Sequence, residues 1–144
     1  MEFRAFIEVT QECQKDINDT LKKIPKVHAA LVKGYKYKFE PNNTLDGDHV
    51  GEIDSSKKTI RVAAPWNYGR QYAFLHEIAH QVWDNIVDDD RKKTWQGIVK
   101  KTKHKQNQSA EELFCMAYAD FYAKNKIEIH LHPTWAKFIK SLPK

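Results

Sequence analysis

The stretch AFLHEIAHQVWD, Ala73 to Asp84, decides how this chain is read. It is strongly apolar and predicts a helix, yet it carries His76, Glu77 and His80. On a helix, residues four apart share a face with Cβ atoms about 5–6 Å apart. His76 and His80 can therefore direct ring nitrogens at one ion, each at about 2.0–2.1 Å if that ion is zinc. Glu77 is rotated about 100° from His76 around the helix axis. It flanks the ion instead of competing for it, and there it can deprotonate a bound water. This is the logic of the HExxH arrangement, in which one helical turn provides two ligands and a general base. The alternative reading is two core histidines, each of which would need a polar partner in an apolar setting.

The surroundings predict where this helix sits. Upstream, a helical pattern runs from about Val9 to Ile24, with Ile17, Leu21 and Ile24 on one stripe and Pro25 at its end. KVHAALVKG reads as a short helix closed by Gly34, and YKYKF, Tyr35 to Phe39, as a half-buried strand. HVGEID and KTIRVAA read as two strands joined by a turn around Ser55-Ser56-Lys57. Pro65 ends the second strand and Asn67 is a candidate N-cap for the HExxH helix. Downstream, Asp88 to Asp90 begin a helix reaching about Thr102, with Trp95, Ile98 and Val99 inward. Ser109 begins SAEELFCMAYADFYAKN, whose apolar residues nearly encircle it, and a last short helix follows Pro133. Helices, then a small antiparallel or mixed sheet, then helices again define an α+β class. One domain over 1–144 is expected: helices and the first strand over 1–46, the hairpin over 47–66, the HExxH helix over 67–86 and C-terminal helices over 87–144.

Two histidines do not complete a catalytic zinc site, which takes three protein ligands and keeps one position open. Asp84 lies a further turn along the same helix, where it suits a supporting role, accepting an imidazole N–H. His104 lies in the basic loop, and His130 and His132 lie in the tail. Glu111 and Glu112 open the buried helix. Periodicity favours Glu112, which is in line with Cys115, Met116 and Ala119, whereas Glu111 falls nearer the polar edge with Gln108. Ser109 and Glu112 also have the spacing of a capping box, so Glu112 has a competing role as a cap.

Composition narrows the remaining classes. With 144 residues, Cys13 and Cys115 as its two cysteines and no motif spacing between them, the chain is no disulfide scaffold. Its N-terminus has no basic and then apolar signal pattern, and no run reaches membrane-spanning length. A soluble monomer in a reducing, intracellular setting is expected, with no membrane partner. The net charge of +5 is concentrated in Arg91 to Lys105. That run reads first as a solvated helix face and second as a weak nucleic-acid contact.

HEIAHQVWD, followed by EELFCMAYADFY and then HPTWAKFIKSL, resembles the catalytic domain of anthrax toxin lethal factor and its relatives, the Pro-Pro endopeptidases among them. These are gluzincin metallopeptidases. The resemblance covers most of Gly47 to Leu142, and its specific parts are the two motifs. It implies a zincin-like fold and a peptide or protein substrate. It also implies His76, His80 and Glu112 as zinc ligands, Glu77 as base, and TIRVAA as the strand that pairs with an extended substrate. Relatives carry a tyrosine about two turns before the glutamate ligand. Here that place is in TKHKQNQ, so His104 or Lys105 is expected as a cationic donor to the oxyanion, or Tyr68 or Tyr72 from the other side. Position 116, often acidic in relatives, is Met116.

Overall fold

The computed structural model describes residues 14, 15, 17–40, 51–63, 67–102, 108–123 and 132–144. A first helix, α1, covers 17–23 and is followed by α2 (Lys26–Ala29), which continues as a 3-10 turn over Ala30–Val32. Ile17, Ile24 and Val32 are buried along this segment. Gly34 has φ +81°, a left-handed conformation that glycine adopts at no steric cost, and it turns the chain into β1 (Lys36–Glu40).

β2 (Gly51–Asp54) and β3 (Thr59–Ala63) form the expected antiparallel hairpin. Its turn is held by Asp54, whose carboxylate accepts from the Ser56 hydroxyl at 2.6 Å and from the Lys57 N–H at 3.1 Å. β1 pairs with β3 in parallel, so the order is β1-β3-β2 and the sheet is mixed. Tyr37 and Ile53 both lie opposite Ile60 in register, and residues opposite one another project from the same face. That face meets the helix α3 (Asn67–Asn85), where the Tyr37 ring stands edge-on to Phe74 at 6.0 Å. The central place of β3 corrects one expectation. TIRVAA was to pair with substrate, but both of its edges are already taken by β1 and β2, so an added peptide strand could reach only the outer edge of one of those two.

α4 (Asp89–Lys101) starts at Asp88, whose side chain accepts the Arg91 N–H. α5 (Ala110–Tyr122) starts at Ser109, whose hydroxyl accepts the Glu112 N–H, and α6 is Pro133–Lys140. Acidic side chains in the first turns of α4 and α5 suit the positive end of the helix dipole. α3 packs along α5, burying Phe74, Ile78, Ala79 and Val82 with Phe114, Tyr118 and Ala119. Trp95 of α4 is fully buried, with Phe138, Trp135 and Phe114 at ring separations of 5.0, 5.2 and 5.9 Å. Helices on both sides in sequence of a small sheet make this an α+β fold. No helix among the described residues is long and apolar enough to cross a membrane.

His28 of α2 was read only as part of a short helix, yet it is 1 % exposed. Its Nε2 lies 2.7 Å from the Pro143 carbonyl and its Nδ1 3.0 Å from the Tyr118 hydroxyl. A carbonyl only accepts, so Nε2–H donates and Nδ1 accepts from the phenol. This clasp ties the C-terminal segment to α2 and α5. Burial holds the imidazole pKa below its ordinary 6.5, against the opposing effect of the Pro143 carbonyl. The unfolded chain therefore binds more protons here than the fold does, and the stability His28 contributes is lost as pH falls from 6.5 through the lower folded value. His28→Phe should remove that slope. The difference in unfolding free energy between parent and variant is expected to be constant above pH 7 and to shrink on acidification. A constant difference down to about pH 5 would contradict the assignment.

Candidate metal centre

Two helix segments build the site. α3 presents Tyr72, His76 and His80 at four-residue intervals, with His76 and His80 rings 5.3 Å apart and Tyr72 6.2 Å from His76. α5 brings Glu111 and Glu112 in its first turn, because the Ser109 cap starts the helix immediately before them. Glu112 Oε2 lies 3.1 Å from His76 Nε2, and Glu112 Oε1 lies 3.3 Å from His80 Nε2. Glu111 Oε2 meets His80 Nδ1 at 2.7 Å.

The donor pattern at His80 follows from these partners. A carboxylate only accepts, so Nδ1–H donates to Glu111. In a neutral imidazole this leaves the lone pair on Nε2, facing Glu112 Oε1. A proton on Nε2 or a cation between the two groups would satisfy that pair. Two atoms each about 2.0–2.1 Å from a tetrahedral ion lie about 3.3 Å from one another. The spacings from Glu112 to the two histidines are close to that value and run to different oxygens of its carboxylate.

Cys115 adds a third ligand type. It is fully buried, a free thiol one helical turn after Glu112, and ligand atoms of His76, His80 and Cys115 all lie within 4.8 Å of one another. These three side chains could hold a metal ion. Burial pushes the thiol pKa far up, and the charges of Glu112, Glu111, Glu77 and Asp84 push it further. The same four carboxylates make the pocket attractive to a cation. Glu77 itself is 8 % exposed and is the one buried carboxylate among the described residues.

The sequence readings fall out as follows. His76, His80 and Glu112 are brought together, Glu77 is buried on the same helix, and Tyr72 is beside His76. Asp84 is exposed, and the imidazole N–H it was expected to accept is met by Glu111 instead. A further turn of straight helix carries Asp84 onward along α3, whereas Glu111 comes across from α5. Glu111, though partly exposed, is long enough to reach back to His80. His132 is exposed and its Nδ1 caps α6 by accepting the Thr134 N–H. His104, Lys105, His130, Cys13 and Trp66 lie outside the described residues, as does the side chain of Tyr68. In the basic run, Arg91 pairs with Asp88 and the Lys92 ammonium lies 5.3 Å over the Trp83 ring, while Lys93, Lys100 and Lys101 are exposed. Cys115 was read only as a buried thiol. Its three-residue spacing from Glu112, which puts both on one face of α5, was the available signal.

Comparison with protein-family models, with curated proteins and with solved structures gives no match to this chain.

Proposed function

We propose that the protein is a zinc-dependent metallopeptidase with a zincin-like domain. The observation that carries this reading is the meeting of Glu112 with both HExxH histidines across the α3–α5 interface, 36 residues from His76 and at chelating distances. His76, His80 and Glu112 would hold the ion, and Glu111 would fix the tautomer and orientation of His80 through its Nδ1–H. Zinc, when bound, supplies a Lewis acid that polarises a carbonyl and acidifies water.

The remaining work belongs to the chain. Glu77 accepts a proton from the attacking water and returns it to the leaving amine, a general base that becomes a general acid. The oxyanion donors proposed are Tyr72, beside His76, and His104 or Lys105, from the place in the sequence where the resembled family carries a tyrosine. The substrate is a peptide or protein in extended form.

A peptide library incubated with the zinc-loaded protein tests this reading. Discrete cleavage products are expected, lost with a chelator and restored by zinc. Absence of products from the loaded protein, or cleavage indifferent to chelator, would reject hydrolysis.

A further inference from the structure

We infer that Cys115 is a fourth protein ligand at the zinc centre, closing the coordination position that hydrolysis needs open. The inference rests on the metal reading above and concerns how the centre is regulated. Glu112 and Cys115 are three residues apart on α5, so they face α3 from successive turns of one helix face. The thiol is excluded from solvent, while its sulfur lies within 4.8 Å of ligand nitrogens on both histidines. In a tetrahedral site with a zinc–sulfur bond of about 2.3 Å and a zinc–nitrogen bond of about 2.0–2.1 Å, sulfur and nitrogen are about 3.5 Å apart. The sulfur is thus at most about 1.3 Å beyond the ligating separation from each nitrogen.

Two histidines, a glutamate and a cysteine make four protein ligands, and a four-coordinate site of this kind is closed to water. On coordination the S–H bond breaks, a metal–sulfur bond forms and the proton passes to solvent; no electron is transferred. A coordinating thiol is deprotonated by the ion itself, so its burial in the metal-free fold is no obstacle. The consequence is a latent centre. Hydrolysis by the parent is slowed but not abolished, because a substrate carbonyl or water competes with the Cys115 sulfur for that position.

Cobalt(II) distinguishes the possibilities, since thiolate ligation gives a sulfur-to-cobalt charge-transfer band in the near ultraviolet that histidine and carboxylate ligands do not. The parent loaded with cobalt should show this band. Cys115→Ser and Cys115→Ala should lose it, still bind cobalt through His76, His80 and Glu112, and hydrolyse peptide faster than the parent when loaded with zinc. Serine is close to cysteine in size, and circular dichroism of both variants checks that they fold. Cobalt bound by the parent without the band would overturn the inference and leave the metal centre standing. Failure of the parent to bind cobalt would overturn both. Loss of the band with no gain in hydrolysis would overturn latency.

Discussion

Glu77→Gln is expected to lower peptide hydrolysis by about 10²–10⁴-fold, the usual contribution of a positioned general acid–base. Zinc content should stay that of the parent. Glutamine keeps the shape and volume of the side chain and can still hydrogen-bond, but it cannot take a proton from water. Glu77 is 8 % exposed, so the fold of the variant is checked beside its activity. A melting temperature like the parent's would assign the loss of activity to chemistry and not to unfolding. Cleavage at the parental rate would end the proposed mechanism, whatever the metal content.

Trp95→Ala should produce the largest loss of stability, about 3–5 kcal/mol, the range for truncating a fully buried large aromatic. Trp95 is completely buried and its ring meets Phe114 on α5 and Trp135 and Phe138 of α6. Its indole N–H donates to the Ala110 carbonyl at 2.7 Å. Ala110 is the first residue of α5, directly before Glu111 and Glu112, so Trp95 also fixes where those carboxylates begin. In a domain of this size the melting temperature should fall by roughly 10–15 °C. Lys93→Ala, on the exposed side of the same helix, should change stability by no more than about 0.5 kcal/mol. A fall of only a few degrees for Trp95→Ala would mean the aromatic cluster does not join α4 and α6 to α5 as described. Metal affinity is expected to weaken with it, since half of the centre hangs from the start of α5.

What could be read from the residues was local. The hairpin, the Asp88 and Ser109 caps and the inward stripe Trp95, Ile98, Val99 depend on neighbours a few positions apart, and each was legible. The parallel pairing of β1 with β3 was not, because strand pairing across an intervening segment leaves no mark in the alternation of either strand. The substrate pairing that the family resemblance implied for TIRVAA needs an open edge, which the pairing with β1 and β2 removes. At the centre, periodicity gave the face of α5 that carries Glu112, but it could not give the reach of Glu111. That depends on how α5 lies against α3, and on a flexible side chain. His28 shows the same limit from another direction. KVHAALVKG was legible as a short helix, while the partners of His28, Tyr118 and Pro143, lie 90 and 115 residues away.

The central claim is that one zinc ion is held by His76, His80 and Glu112, and zinc content after dialysis tests it most directly. The parent should retain about one zinc per chain, and, in the Cys115→Ala background where no thiol can replace the carboxylate, Glu112→Ala should lose it. Glu111→Ala should recover full occupancy when zinc is raised, with affinity about 10–100-fold lower, as expected for a residue that only orients a ligand. A parent without zinc after exposure to it, or equal behaviour of Glu111→Ala and Glu112→Ala, would contradict the account.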